Sequence, residues 1–446
     1  MKICKYQIMM YFCIHKIMLE TMENENYKPR LIDKHIDEML EIFGALCVEG
    51  PKWCGKSWTS AHHSASVISL ANPADNFQNR RMAEMSPDLV LDGAEPRLID
   101  EWQEVPPIWD AVRYKVDEST RKGRYILTGS ATPNHKGIMH SGAGRIARIR
   151  MRPMSLFESG NSSGKVSLEA ICDGTLPAVM TGNVQLSKLV DLIVRGGWPA
   201  SLNLSIERAM QLPRQYLKAV IEDDVYRIDG VKRDTAKINL LLRSLARNES
   251  TTVSNKTIKN DIKAIDDEDI DLNTIASYLD VLNRLFLLDN LQPFSGNLRS
   301  SLRLKQMEKR RFVDPSLACA LLKITPKMLF NDLNTLGFMF ESLCVRDLII
   351  YSQMFDGQVF HYQDYNGNEI DAVIEMPDGG WCAFEIKLGA NQIDAAAANL
   401  LKIRDKIAED PNGRPPKALC VISGLGSAAY TRPDGVMVVP ISALRE

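Results

Sequence analysis

The sequence predicts an α/β protein of several domains, and three observations lead to this fold class. A glycine-bracketed loop at residues 50–57 lies between a buried-strand pattern and a helix-starting pattern. Two further apolar runs, near residues 98 and 126, each end in polar or acidic residues. Two short alternating runs around residues 371 and 385 have the pattern of a strand hairpin. The chain of 446 residues is also too long for one hydrophobic core.

The composition is that of an ordinary globular protein and indicates no particular binding partner. Hydrophobic residues make up 45% and charged residues 25%, with 54 basic against 56 acidic side chains. The 9 cysteines contain no CxxC pair, so we predict neither a disulfide framework nor a zinc ribbon, and a reducing cytoplasm fits best.

Residues 1–24 are a predicted N-terminal extension, with either Met1 or Met22 as the start. His15 and Lys16 interrupt its apolar run, so we expect no signal peptide, no spanning helix and no membrane partner.

The loop GPKWCGKS matches the phosphate-binding pattern GxxxxGK[ST] at every fixed position. The strand pattern FGALCVE precedes it and SWTSAHHSA can begin a helix after it, which is the order that phosphate binding requires. Lys56 would reach the terminal phosphates and the Ser57 hydroxyl would ligate Mg²⁺. A glycine-rich turn before an ordinary helix is the alternative. The predicted nucleotide-binding residues of the loop are Gly50, Pro51, Lys52, Trp53, Cys54, Gly55, Lys56 and Ser57. Because Cys54 precedes a helix N-terminus and Lys56, we expect a reactive thiol that bound ATP protects.

An acidic strand end follows the loop, as ATP hydrolysis requires. In PRLIDEWQEVP, two apolar residues precede Asp100 and Glu101. Asp100 would hold Mg²⁺, mostly through water, and Glu101 would orient and polarise the attacking water as general base. A solvated acidic strand end is the alternative. The next strand pattern, GRYILTGSAT, ends in Thr128 and Ser130, whose hydroxyl groups can sense the γ-phosphate.

The segment GAGRIARIRMRPMSLFE carries four arginines with regular spacing. Period-two alternation would put Arg148, Arg150 and Arg152 on one face of a strand, with Arg145 in the preceding loop. Arg145 is our candidate for an arginine that faces the phosphates, either within one subunit or between subunits of a homo-oligomer. A plain surface arginine is the alternative.

These segments, together with RGGWP at Arg195 to Pro199, resemble bacterial and archaeal AAA-type ATP-binding proteins in which a C-terminal domain of unknown function follows the ATPase domain. The resemblance runs from about residue 27 nearly to the end of the chain. It implies a doubly wound P-loop ATPase domain over residues 25–158 that binds ATP and Mg²⁺. A helical connection over residues 159–212 would follow.

Residues 213–312 have the pattern of a winged helix. Three helices and a wing strand are predicted, at residues 236–248, 254–265, 273–285 and 285–294. The third helix carries Arg284 as its single basic residue, so we interpret it as a packing or protein-contact helix rather than one that reads DNA. A basic run follows, either as a solvated linker or as an edge that contacts phosphates. Its basic residues are Arg299, Arg303, Lys305, Lys309, Arg310 and Arg311.

The C-terminal segment contains a predicted hairpin with paired carboxylates. If residues 376–380 form a five-residue turn, Asp371 lies opposite Glu385, and Lys387 shares their face of the sheet. A two-residue turn would change the register, so that Asp371 would no longer lie opposite Glu385 and the site would not form. Opposed carboxylates about 5 Å apart repel each other, so the pair needs a cation between them or a raised pKa. A divalent metal ion would meet that need.

This pattern resembles the PD-(D/E)xK nuclease superfamily, and implies a restriction-endonuclease-like α/β domain over residues 313–446. The resemblance implies that Asp371 and Glu385 bind Mg²⁺, that Lys387 polarises the attacking water or stabilises the phosphorane, and that Glu341 assists. DNA or RNA would then be bound or cut. The alternative is an ATP-switched scaffold or adaptor whose nuclease-like domain is inactive and docks a protein partner.

Overall fold

The computed structural model describes residues 27–132, 138–266, 270–297 and 306–446. The predicted N-terminal extension lies outside the described residues, as do Arg299, Arg303 and Lys305 of the basic run. The chain divides into two units, one that ends at Arg152 and one that begins at Pro153. Among the described helices, none combines the length and the apolar character that crossing a membrane requires.

The first unit is built on a five-stranded parallel sheet. Its strands are β1 (Ala45–Glu49), β2 (Ser66–Ser69), β3 (Arg97–Asp100), β4 (Tyr125–Gly129) and β5 (Ile146–Arg150). They lie in the order β2-β3-β4-β1-β5 across the sheet. The helices of the unit are α1 (Ile32–Ile42), α2 (Lys56–His62), α3 (Ala74–Met85), α4 (Asp88–Leu91) and α5 (Ile108–Asp117). The α/β fold predicted for this part of the chain is confirmed.

Strand β1 is apolar because both faces of the sheet are covered. Ala45 and Cys47 belong to one core cluster, and Leu46 and Val48 belong to another, so successive side chains enter opposite layers. Strand β4 lies between β1 and β3. The carboxyl ends of these three parallel strands therefore meet at one edge of the sheet, where ligands of open α/β sheets bind.

The second unit contains ten strands, which are β6 (Val166–Ser167), β7 (Val179–Met180), β8 (Gln292–Pro293), β9 (Gln358–Gln363), β10 (Glu369–Glu375), β11 (Trp381–Lys387), β12 (Ala418–Ser423), β13 (Ala428–Thr431), β14 (Met437–Pro440) and β15 (Leu444–Arg445) among the described residues. Eight of them form a mixed sheet in the order β7-β13-β14-β12-β11-β10-β9-β8. Strands β6 and β15 pair separately. The α-helices are α6 (Leu168–Cys172), α7 (Leu186–Arg195), α8 (Ile206–Ala209), α9 (Gln211–Ala219), α10 (Val225–Arg227), α11 (Thr235–Arg247), α12 (Asn255–Asp266), α13 (Leu272–Arg284), α14 (Pro315–Leu321), α15 (Pro326–Asn331), α16 (Leu333–Ser352) and α17 (Ile393–Ala408).

Helices α11, α12 and α13 correspond to the three helices predicted for the winged-helix region. The wing strand predicted at residues 285–294 is shorter than expected. It consists of the two-residue strand β8 and two antiparallel bridges, Leu288 with Phe312 and Leu291 with Lys309. The assignment of this region as a winged helix stays a prediction.

Strands β10 and β11 form the predicted hairpin. Glu375 pairs with Trp381 and Ala372 with Phe384, and the Met376 N–H donates a 2.8 Å hydrogen bond to the Gly380 carbonyl oxygen. The five-residue turn and its register are therefore confirmed, and continuing that register by one pair places Asp371 opposite Glu385. Helix α17 covers one face of these strands through apolar residues such as Leu400.

Candidate functional site

The phosphate loop follows β1 and leads directly into α2. Gly50 and Gly55 have φ angles of 151° and 105°, in the region that favours glycine. A Cβ atom on Gly50 would lie 2.1 Å from the carbonyl oxygen of Met151, so a larger residue does not fit. The loop can therefore bend closely, and its amides precede the N-terminus of α2, whose partial positive charge favours anions.

Lys56, the fixed lysine of the loop motif, is buried at the start of α2. Its Nζ donates a 2.8 Å hydrogen bond to the Pro51 carbonyl oxygen. Arg30 holds the outside of the loop, because its guanidinium donates to the carbonyl oxygens of Cys54 at 2.8 Å and Arg152 at 2.9 Å. Sequence reasoning missed Arg30, since it precedes α1 and belongs to no motif.

Polar side chains from neighbouring strands meet at the carboxyl edge of the sheet. Asp100 Oδ1 accepts hydrogen bonds from Ser57 Oγ and Thr128 Oγ1, each at 2.7 Å. Asp100 Oδ2 accepts a hydrogen bond from Ser69 Oγ at 3.1 Å. The structure thus brings together Ser57, Asp100 and Thr128, which the sequence had placed in one site. Ser69 was missed because a lone serine at a strand end carries no signal.

Glu101 follows β3 with a φ angle of 57°. This left-handed conformation is uncommon for residues other than glycine and is concentrated at functional sites. The Glu101 N–H donates to Thr128 Oγ1 at 3.2 Å, and its carboxylate accepts hydrogen bonds from Ser130 Oγ at 3.1 Å and from Gln103 Nε2. Glu101 and Ser130, which were predicted separately as site residues, are therefore in contact, and Gln103 is an addition that sequence reasoning missed.

Arg145 lies at the opposite edge of the sheet from the phosphate loop. Strand β5 runs parallel to β1, and its first residue, Ile146, pairs with Ala45, the first residue of β1. Arg145 precedes that edge, where its Nε pairs with Asp117 Oδ1 at 2.8 Å. The predicted phosphate contact within one chain is wrong for this reason. A contact between subunits stays a prediction.

Two other predictions about side chains of this unit are wrong. Strand β5 ends at Arg150, so Arg152 does not share a strand face with Arg148. Cys54 is 0% exposed, and its Sγ lies 3.8 Å from the carbonyl oxygen of Met151. Because the thiol faces the protein interior, we no longer expect a maleimide to react with it readily or ATP to control that reaction.

In the second unit, Lys387 provides the cation between the opposed carboxylates. Its Nζ lies 2.9 Å from Asp371 Oδ2 and 2.6 Å from Glu385 Oε2. The Ile386 N–H donates to Asp371 at 2.8 Å, and Asn399 Nδ2 donates to Glu385 at 2.8 Å. A metal ion was the predicted cation between the two carboxylates, whereas in the structure a lysine of the chain lies there. Asn399 on α17 was missed.

The two opposed carboxyl groups have different acidities. Burial raises the pKa of Glu385, and the charge of Asp371 raises it further against the opposing effect of Lys387. Burial also acts to raise the pKa of Asp371, but Lys309 and Lys387 outweigh it, so that this pKa lies below its ordinary value. As the pH falls, Glu385 therefore accepts a proton while Asp371 is still ionised.

These side chains line a cavity of about 440 Å³. Glu341, predicted to assist, lines it from α16, and residues 250–252 line it from the segment between α11 and α12. Further lining residues are Phe338, Glu369, Asp371, Glu385, Lys387 and Asn399. The region interpreted as a winged helix thus contributes to the same cavity as the hairpin. Sequence motifs could not predict this shared cavity, because the segments that line it are distant in the sequence.

The described part of the basic run is neither a solvated linker nor an exposed phosphate-binding edge. Lys309, Arg310 and Arg311 are only 1%, 9% and 2% exposed. Arg310 Nε donates to the Val253 carbonyl oxygen at 3.0 Å, and Lys309 Nζ contacts Glu341 Oε1 at 2.6 Å. Both expectations are wrong for these three residues, because their charges are used inside the unit.

Three family models match consecutive parts of the chain. They are an AAA domain at residues 43–159, the domain of unknown function DUF8612 at residues 186–328, and the domain of unknown function DUF4143 at residues 336–444. The first covers the phosphate loop and the acidic strand end. Residues 43–159 therefore form a P-loop ATPase domain of the AAA type, which binds and hydrolyses ATP.

Similar proteins have been described in bacteria and archaea. The chain is 23% identical over 346 residues to the uncharacterized proteins Mb2031c of Mycobacterium bovis and Rv2008c of Mycobacterium tuberculosis, over 77% of this chain and 70% of each of theirs. A solved structure, the Walker-type ATPase PABY2304 of Pyrococcus abyssi, is 14% identical with a TM-score of 0.43. That similarity covers 67% of this chain and 97% of the archaeal one.

Proposed function

We propose that this protein couples ATP hydrolysis in its N-terminal unit to divalent-cation-dependent cleavage of nucleic-acid phosphodiester bonds in its C-terminal unit. The observation that carries the second half is the convergence of Asp371, Glu385 and Lys387 on one cavity. A carboxylate pair with an adjacent lysine is the side-chain set that such cleavage uses. ATP hydrolysis would then license or drive the cutting.

In the ATPase unit we assign roles to four residues. Lys56 would leave the Pro51 carbonyl oxygen to contact the terminal phosphates, and Glu101 would act as the general base that orients the attacking water. Ser57 and Asp100 offer adjacent oxygen atoms, 2.7 Å apart, which fits a hard cation such as Mg²⁺. A bound Mg²⁺ would neutralise charge on the phosphates.

In the C-terminal unit, the donor set also fits a hard divalent cation. Asp371 and Glu385 supply carboxylate oxygens, and both are bound to Lys387 Nζ, so the position between them already favours a positive charge. The Lys387 side chain is 27% exposed, and its ammonium group, at the end of a four-carbon stem, would turn into the cavity to stabilise the negative charge of the phosphate. A divalent ion held by the two carboxylates would polarise the phosphate or its attacking water.

A second candidate function is an ATP-switched scaffold that uses the C-terminal unit to dock a protein. The observation that favours it is the ion pairing itself, because Lys387 Nζ already contacts both carboxylates. Among the described residues, no group of three or more His, Cys, Asp or Glu side chains is arranged to hold a metal ion. On this alternative the network would only make the domain rigid.

The role of Lys56 predicts that Lys56→Ala abolishes ATP binding, because its charge-assisted contacts to phosphate oxygens have no replacement. Titration of a fluorescent ATP analogue in the presence of Mg²⁺ measures this. Lys34→Ala serves as the control, since Lys34 is 83% exposed on α1 and makes a surface ion pair. Unchanged affinity in the Lys56 variant would contradict the assignment.

The nuclease proposal predicts metal-dependent cleavage that Glu385→Gln reduces at least about 100-fold, because loss of a metal ligand removes several kcal/mol of transition-state stabilisation. Labelled single- and double-stranded DNA and RNA would be incubated with Mn²⁺ or Mg²⁺, with and without ATP. Glu375→Gln is a matched control on β10, where Glu375 pairs with Arg414 away from the cavity. If the wild type cuts none of these substrates, or if both variants cut equally, the scaffold function is favoured.

A further inference from the structure

Two exposed tryptophans lie at the phosphate loop. Trp53, within the loop, is 50% exposed, and Trp58, the residue after Ser57, is 46% exposed. The other four tryptophans of the chain are at most 1% exposed, and they are Trp102, Trp109, Trp198 and Trp381. Exposed indole rings are therefore confined to the loop that binds the phosphates of ATP and to the residue that follows it.

The backbone of Trp58 belongs to the first turn of α2. The Thr59 N–H donates a 3.0 Å hydrogen bond to the Gly55 carbonyl oxygen, which is the bond of a regular helix four residues back. The N–H groups of residues 56–58 precede that bond, and the first N–H groups of a helix have no acceptor within it. The Trp58 amide is therefore among the loop amides that are available to the phosphates of ATP.

Helix geometry directs the Trp58 side chain back toward the phosphate loop. Long side chains of a helix lean toward its N-terminus and cover the preceding turn. One turn toward the C-terminus, the same face of α2 is occupied by His62, which stacks on Tyr27 with ring centroids 4.3 Å apart. The Tyr27 hydroxyl group donates to Asp33 at 2.6 Å and to Thr59 at 3.3 Å, so this neighbouring stack is itself held in place.

The Trp58 indole has room for a planar ligand. Within the described part of the chain, no aromatic ring stacks on it and no side chain bonds to its Nε1. ATP carries a planar adenine base at the opposite end from its terminal phosphates. Because the loop fixes those phosphates, the base lies within the length of one nucleotide from the first turn of α2. Nucleobases stack on aromatic side chains through their planar π faces.

We propose that the adenine base of bound ATP stacks on the Trp58 indole, which makes Trp58 the residue that selects a nucleotide over a bare polyphosphate. The proposal rests on ATP binding by the AAA domain and not on the proposed nuclease function. Two adjacent residues would then hold the two ends of the ligand. Ser57 faces Asp100, at the end of the terminal phosphates, with 2.7 Å between their oxygen atoms, and Trp58 contacts the base.

The test compares ATP with inorganic tripolyphosphate, which has the phosphates but no nucleoside, by calorimetric titration of the full chain with Mg²⁺. Trp58→Ala should weaken ATP binding by about 5- to 150-fold, the range expected for one stacked base, and leave tripolyphosphate binding unchanged. Trp58→Phe should restore most of the ATP affinity, because it restores an aromatic face. Lys56→Ala should lose both ligands. Tyr114→Ala is the matched control, since Tyr114 is a 56% exposed aromatic residue on α5, and it should change neither affinity.

Fluorescence provides a second measurement. In a Trp53→Phe protein, Trp58 is the one tryptophan left exposed, so quenching by acrylamide reports on its indole. ATP should protect this indole from acrylamide, whereas tripolyphosphate should not.

Three results would overturn the assignment. Equal weakening of ATP and tripolyphosphate in Trp58→Ala would mean that Trp58 shapes the loop and does not contact the base. Unchanged ATP affinity together with unchanged quenching would mean that the indole faces away from the nucleotide. A selective loss of ATP affinity in Trp53→Ala, with none in Trp58→Ala, would place the base on Trp53 instead.

Discussion

A Glu101→Gln variant should bind ATP as tightly as the wild type and hydrolyse it about 10²–10⁴-fold more slowly, the range that a general base contributes. Glutamine keeps the shape of the side chain and can still bond to Ser130 and Gln103, but it cannot accept a proton from water. Lys56, Ser57 and Asp100 remain in place, so the phosphate contacts survive. Phosphate release under saturating Mg²⁺-ATP measures the loss.

The matched control is Glu104→Gln in the same turn. Glu104 forms an ion pair of 3.0 Å with Arg80, and both side chains are partly exposed, so its neutralisation should change stability by at most about 1 kcal/mol. Turnover in this variant should remain within a few-fold of the wild type. Undiminished turnover in the Glu101 variant would mean that Glu101 is not the general base and that another group orients the attacking water.

The nucleotide site was largely predictable because its parts are contiguous in sequence. Glycines, lysine and serine of the loop must follow one another, and an acidic pair must end a strand. Arg30 and Gln103 were not predictable, since they contact the loop and Glu101 only after the chain has folded. The error over Arg145 has a simple origin: a residue that precedes a parallel strand lies at its amino end, whereas the phosphate loop follows the carboxyl end of β1.

The carboxylate site was predictable only as far as the turn that aligns its hairpin. The alternation of β10 and the length of the turn were sufficient to place Asp371 opposite Glu385, as the register confirms. The cations were harder to predict. Lys387 lies on the hairpin, but Lys309 belongs to a basic run whose usual interpretation is a solvated surface, and its burial depends on contacts with α16 and β10.

The motif RGGWP is explained by packing within the second unit. A Cβ atom on Gly196 would lie 2.4 Å from Ser316 Oγ, so this backbone passes directly against the start of α14. The Gly197 N–H donates to Asp314 Oδ2 at 2.9 Å, and Trp198 Nε1 donates to Ser316 Oγ at 2.9 Å. Asp314 in turn pairs with Arg346 Nη1 at 2.9 Å. The motif thus ends in a buried ionic network.

Replacing Arg346 with methionine should lower the unfolding free energy of the second unit by about 3–5 kcal/mol, the usual cost of removing one partner from a buried ion pair. Arg346 is 1% exposed and pairs with Asp314 and Asp347, which are both 0% exposed. Methionine fills a similar volume, so the expected loss comes from two buried carboxylates without a cation. Hydrogen exchange of α16 peptides in increasing urea measures it for this unit alone.

The pH dependence of this loss distinguishes charge from packing. Burial already raises the pKa of Asp347 despite Arg346, and removing Arg346 should raise it further. The folded variant then binds more protons than its unfolded chain, so its stability falls as pH rises and recovers as pH falls toward the pKa of the buried carboxyl group. The difference in unfolding free energy between the wild type and the Arg346 variant should therefore be smaller in mildly acidic buffer than at neutral pH.

The control is Arg404→Met, which removes an exposed arginine paired with Asp405 and should cost at most about 1 kcal/mol of unfolding free energy at either pH. A deficit in the Arg346 variant that is equally large at both pH values would mean that lost packing, and not unpaired charge, determines the stability of this network.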